Sequence, residues 1–272
     1  MEHFFERLER KIDLQGEYEK LEELFCVRNL DCRISLQSII ELNFLKWQKR
    51  GNYISLKEIR KQINLPYEKV DYGYKYRKDI DINDFLLFCE MVLNLLKDFM
   101  EIIGDDSFNS SAIILMDTIR YDLEIVGEEI KTIDDKIIIV SKDAAAYAVV
   151  EIVPELDDVI IEYNHFLLKG NLERKKELLK KIADSLEPRR DLLKKLNKTA
   201  VDDFFFLVNK MNIRHNNCDP SDEAKYCKSF DEMSISEKED WYDLIYNQAL
   251  MLYILFDYQS RKEKIRNFKD SL

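Results

Sequence analysis

DDFFFLVNKMNIRHNNCDP, residues 202–220, starts as an apolar helix and ends as a crowd of hydrogen-bonding side chains, and its reading decides the fold. Val201, Phe204, Phe205, Val208 and Met211 recur at spacings of three and four, the pattern of one buried helical face. Thr199 with Asp202 supplies a capping signal at the start of that helix. Asn209, Asn212, Arg214, His215, Asn216 and Asn217 then fall at and just beyond its end. Asn209 and Asn212 are three residues apart and share a face, and the residues after Ile213 can fold back over it.

Upstream, Leu172, Leu179, Ile182, Leu186, Leu193 and Leu196 repeat at helical spacing with lysines and arginines between them. From Lys169 to Lys198 eleven basic residues stand against five acidic ones, so this segment carries +6 and the remainder of the chain −17. Pro188 either begins a second helix at its first position or kinks a continuous one. Downstream, Ser236 with Glu239 has capping-box spacing and predicts a final helix over about 237–266.

Moving toward the N-terminus, DAAAYAVVEIVPELDDVIIEYNHFLLKG, Asp143 to Gly170, predicts helix, bent or broken around Pro154 and closed by Gly170. Leu123 to Val140 is rich in β-branched residues interrupted by Asp134 and Asp135, which predicts a small β-hairpin with its turn near 134–136. Amphipathic helices are expected over about 107–120 and 82–103, the second stopped by Gly104, with two more over about 4–24 and 34–49. A short one follows Ser55, whose partner Glu58 sits three residues on, and Pro66 ends it. The stretch Tyr67 to Ile80 reads as a loop. Expected regions are 1–104, helical, and 105–272, a helical domain carrying the hairpin.

Composition agrees with a mainly α multi-helix bundle. Six glycines and four prolines in 272 residues are too few for a loop-rich β protein, and apolar residues at 46% suffice for a large core. Five scattered cysteines fit reduced thiols better than a disulfide framework. The longest apolar run, Ala249 to Phe256, is far short of the ~20 residues that span a bilayer. The charged start, MEHFFERLERK, is no signal peptide. A cytoplasmic protein with no membrane association is expected. A net charge of −11 argues against a surface coated for nucleic acid, although the basic segment is an exception.

Two readings of the polar cluster are open. In one, Asn212, Asn216 and Asn217 cap the helix and tie down the loop, with Arg214 and His215 bonded to carbonyls. In the other, His215 moves protons at neutral pH, with Lys210 or Arg214 as a neighbouring cation. Asn209 and Asn212 would then orient substrate. The basic face, with Arg189 and Arg190, is either solvated or binds RNA. Tyr72 to Lys78, YGYKYRK, interleaves aromatics with cations and either stacks bases or packs on a helix. His215, Cys218 and Cys227 lack a fourth zinc ligand, His3 and His165 are isolated, and no glycine-rich phosphate loop is present. No metal and no cofactor are expected.

From about Asp122 to Asp270 the chain resembles the HEPN-like helical proteins of bacterial abortive infection and phage defence. The resemblance rests on KGNLERKKELLKKIADSLEPRRDLLKKLNK, on DDFFFLVNKMNIRHNNCDP and on WYDLIYNQALMLYILFD, and extends back to KDAAAYAVVEIV and the hairpin. Active members of that family are metal-independent endoribonucleases in which an Arg, four to six residues and a His act at a dimer interface. His215 is the counterpart here, with Lys210 five residues before it and Arg214 adjacent. The resemblance implies a homodimer joined through its C-terminal helices, with RNA cleavage or RNA binding at Asn209, Lys210, Asn212, Arg214, His215, Asn216 and Asn217. The alternative is a catalytically silent helical module for a protein partner in a defence system.

Overall fold

The computed structural model describes residues 13–26, 34–65, 67–70, 73–76 and 79–272. It is mainly helical, and the chain divides into two compact units, Met1–Lys142 and Asp143–Leu272. The division expected at Gly104 falls inside the first unit. Gly104 adopts φ 63°, the left-handed end of a helix, and simply joins two helices that share one core.

In the first unit, helix α1 (Leu14–Cys26), α2 (Leu36–Asn43) and α3 (Leu56–Gln62) precede the long pair α4 (Ile82–Ile103) and α5 (Asp106–Ile125). Ser35, Ser55, Asp81 and Asp105 each cap a helix by accepting a main-chain N–H three residues on. Phe85, Phe88, Val92, Leu96 and Phe99 of α4 and Phe108, Leu115 and Ile119 of α5 are buried. The expected helix start near residue 4, together with His3 and Cys32, lies outside the described residues.

The hairpin is where the sequence predicts it. Strands Glu128–Ile133 and Lys136–Ser141 pair antiparallel, with Ile133 opposite Lys136. Asp134 and Asp135 both have positive φ, as a two-residue turn matching strand twist demands. Helix α4 covers one edge: the Asn94 amide accepts from Ile137 N at 2.8 Å and donates to Ile137 O at 2.7 Å, and Glu90 accepts from Ile139 N at 2.8 Å. A second hairpin, Tyr67–Val70 with Gly73–Tyr76, replaces the loop expected there. Its alternation of tyrosine and lysine is a strand period that a search for helical spacing passes over. Tyr72, Arg77 and Lys78, and the side chains of the strand between, lie outside the described residues.

The second unit runs α6 (Ala144–Ile152), α7 (Asp157–Tyr163), α8 (Leu172–Leu186), α9 (Arg190–Lys210), α10 (Lys228–Asp231) and α11 (Ile235–Asp270). Asp143 caps α6, and Pro154 opens the turn that breaks it from α7. Pro188 sits in a single tight turn, Glu187–Arg189, linking α8 to α9. Helix α9 is itself kinked at Asn197 (φ −150°, ψ 89°), whose side chain accepts from Ala200 N at 3.1 Å. The cap is therefore Asn197, not the expected Thr199: a residue with extended φ/ψ and a short acceptor side chain is what a helix start needs. For the same reason α11 begins at Ser234 with Glu237, a complete capping box two residues before the expected Ser236 and Glu239. Among the described residues, no helix is long and apolar enough to cross a membrane.

Candidate functional site

Helix α9 ends at Met211, whose N–H reaches Leu207 O at 2.8 Å. Asn212 then takes φ 59°, a left-handed conformation that asparagine tolerates at a helix end. Its N–H donates to Asn217 Oδ1 at 2.9 Å, and the Asn217 N–H donates back to Asn212 Oδ1 at 3.1 Å. This reciprocal pair closes the loop. Asn217 is buried, and its amide also donates to Lys225 O at 2.5 Å while its own carbonyl accepts from Cys227 N at 2.8 Å. The Arg214 N–H reaches back to Val208 O at 3.2 Å. Ile213 is buried, so the excursion is pinned at both ends.

Within that excursion the two candidate catalytic groups part company. Arg214 turns inward: its guanidinium is 2.6 Å from Glu187 Oε2, 3.4 Å from Asp184 Oδ1 and 3.3 Å from Ala183 O. It lies 5.4 Å from the centre of the Phe205 ring, and Arg190 lies 4.3 Å from the same ring. Arg190 also donates to Glu187 Oε1 at 3.1 Å. Burial alone raises the Glu187 carboxyl, but its bonds to Arg214 and Arg190 outweigh that and hold it below the usual range. Arg189 is likewise committed, to Ser185 O at 2.6 Å, Glu155 at 3.4 Å and the face of Phe256. Three arginines expected to face RNA are thus spent largely on the chain's own carboxylates, carbonyls and rings.

His215 and Asn216 are exposed. Asn216 Oδ1 accepts from Cys218 N at 3.3 Å, whereas no hydrogen bond holds the His215 imidazole among the described residues. Lys210 and Asn209 are half-buried near the end of α9, and Lys210 has no ion-pair partner among the described residues. Lys180, Lys181, Lys195 and Lys198 are exposed on α8 and α9, also without ion pairs there. Cys218 and Cys227 are free thiols, and among the described residues no three His, Cys, Asp or Glu side chains gather as metal ligands. A groove of about 810 Å³ lies elsewhere in the unit, lined by Ile152, Leu192 and Phe256 and edged by Glu151, Asp257 and Arg261.

One polar cluster escaped the sequence reading, which treated Lys175 as part of a solvated basic face. Lys175 is buried, with Nζ 2.7 Å from Asp243 Oδ1 and 2.8 Å from Glu239 Oε1, and it lies over the Tyr163 ring. The Tyr163 hydroxyl donates to Asp243 at 2.9 Å, and its ring stacks on Tyr246 at 4.0 Å. Burial, with Asp243 next to it, pushes the Tyr163 hydroxyl far above its ordinary value. A signal existed: Lys175 is three residues from Leu172 and four from Leu179, hence on the apolar stripe. The network ties α7, α8 and α11 together, which is a structural task. No family model matches the sequence, and no curated protein and no solved structure matches the chain.

Proposed function

We propose that the second unit binds RNA along the lysines of α8 and α9 and cuts it without a metal, with His215 as the proton-transfer group. The observation that carries this reading is the combination of an exposed, unbonded imidazole with a loop clamped by Asn212 and Asn217. A free ring on a fixed backbone is what a general base requires. His215 would take the 2′-hydroxyl proton, and the 2′-oxygen would bond to the adjacent phosphorus as its bond to the 5′-oxygen breaks, leaving a 2′,3′-cyclic phosphate and a 5′-hydroxyl that takes its proton from water. Lys210, which has no carboxylate partner among the described residues, is freer than Arg214 to offset the developing charge. Through the family resemblance, this chemistry would serve a bacterial abortive-infection response.

A second reading, a catalytically silent helical module for a protein partner, is favoured by the commitment of Arg214 to Glu187, Asp184 and Phe205. One experiment separates the two. Purified wild type and His215→Ala are incubated with labelled single-stranded RNA in the presence of a chelator, and cleavage, binding and thermal stability are all recorded. The proposal expects His215→Ala to lose cleavage by about 100-fold or more with an unchanged melting curve. Intact RNA with wild type, and no binding that weakens with salt, would leave the silent module.

A further inference from the structure

Helix α4 seals one edge of the hairpin Glu128–Ser141 and leaves the other open. In an antiparallel pair, successive residues point their main-chain N–H and C=O alternately at the partner strand and away from it. Ile137 commits both groups to Asn94, and Ile139 its N–H to Glu90, so these two residues point away from the strand Glu128–Ile133. Ile137 stands opposite Thr132, and Ile139 opposite Ile130. Thr132 and Ile130 therefore point their N–H and C=O out of the hairpin on its far side, where no group among the described residues bonds them. Buried main-chain groups almost never go unbonded, so this row of two donors and two acceptors is open to water. Thr132 is itself exposed.

The row is also held in place. The turn at Asp134 and Asp135 fixes the register, and Lys49 and Lys97 hold the Asp135 carboxylate. Two strands alone make a marginal sheet, and an edge already fixed loses little entropy when a third strand joins it. Main-chain donors and acceptors alternating along a line are complementary to another extended main chain. Side chains define which one. In antiparallel pairing, the more stable arrangement, the added residues opposite Thr132 and Ile130 lie on the face that buries Ile137 and Ile139, where apolar β-branched side chains fit. Lys131 and Glu129 lie on the other face, 2.9 Å apart, so the added residue opposite Lys131 is acidic and the one opposite Glu129 is basic. We infer that this edge takes an extended segment of a partner protein, running antiparallel, with an apolar, acidic, apolar, basic order against Thr132, Lys131, Ile130 and Glu129. The surface belongs to the first unit and is independent of any chemistry at His215.

The test uses the full chain and the fluorescent peptide acetyl-Thr-Val-Glu-Val-Lys-Lys-amide, whose valines fall opposite Thr132 and Ile130. Anisotropy should show saturable binding. Methylating the main-chain nitrogens of both valines should abolish it, because those N–H groups face the edge. Methylating those of the glutamate and the first lysine, which face away, should leave affinity within about twofold. Thr132→Pro should abolish binding with an unchanged melting curve, since the N–H it removes points out of the hairpin. Glu129→Lys should weaken binding about fivefold, and a peptide with glutamate in place of the first lysine should restore it. Absence of binding, equal effects of the two methylated sets, loss from the outward set alone, or binding untouched by Thr132→Pro overturns the proposal. So does a wild-type dimer that Thr132→Pro dissociates, because the edge would then belong to a second copy.

Discussion

Replacing Asn217 by alanine should destabilise the second unit while leaving the His215 side chain, the proposed proton-transfer group, in place. The side chain makes two bonds that no neighbour can replace, accepting from Asn212 N at 2.9 Å and donating to Lys225 O at 2.5 Å. Its removal leaves a main-chain N–H and a main-chain carbonyl without their partner, at about 1–3 kcal/mol each if both were sealed from water. Asn212 is half-buried and Lys225 exposed, so water recovers part of both shares, and a net loss of about 1–3 kcal/mol is expected. For a unit of this size each kcal/mol lowers Tm by about 3–6 °C, which predicts a drop on the order of 10 °C. Circular dichroism melts of wild type, Asn217→Ala and His215→Ala would read it. Asn217→Asp keeps the acceptor for Asn212 but faces Lys225 O with a carboxylate, so it should not rescue. An Asn217→Ala curve within a degree or two of wild type would mean that the clamp holds nothing, and the argument that His215 rides on a fixed backbone would fail.

Asp122, buried in the first unit, should make stability fall as pH rises from about 4 to about 6. Burial, then Glu17, raise its carboxyl to about 6 against the opposing Lys20, so the folded unit holds a proton that the unfolded chain has already released. Asp122→Asn should therefore be more stable than wild type at pH 7, by at most about 3 kcal/mol, and the difference should vanish near pH 4 in paired urea titrations. A pH-independent difference would contradict this. The buried pair of Arg60 with Glu22, 2.6 Å apart beneath Phe25 and Phe88, should be costly to break from one side. Glu22→Gln should cost about 3–5 kcal/mol, and replacing both partners by apolar residues should recover most of it, as chemical denaturation of the single and double variants would show.

Much of the fold was legible because long helices and the Asp134–Asp135 turn announce themselves by period and punctuation. Helix starts were less so. Ser236 and Thr199 satisfy the capping pattern as well as Ser234 and Asn197 do, and only the φ/ψ of the chain chooses between them. The second hairpin was missed because four-residue strands offer too few alternations. At the candidate site the residue types were legible and their tasks were not. Asn212 and Asn217 bond each other across five residues, which spacing allows but does not require. The partners of Arg214 come from the end of α8 and the turn after it, 27 to 31 residues away, and no local pattern encodes them. Lys175 looked solvated because ten other cations surround it in sequence, although its own register pointed inward.

Arg214 and His215 also explain each other. Ile213 and Asn217 are buried and fix the two ends of the excursion, leaving three residues between them. The main chain of Arg214 is tied to Val208 O, and its side chain is drawn back over Phe205 to Glu187 and the end of α8. With that side chain turned into the unit, the next residue along so short a span is turned out of it. The contacts that deny Arg214 a role as a free cation are therefore the ones that expose the His215 imidazole. Exposure of this ring follows from anchored neighbours and not from a loose loop, so a variant that frees Arg214, such as Glu187→Gln, would disturb the presentation of His215 without touching it.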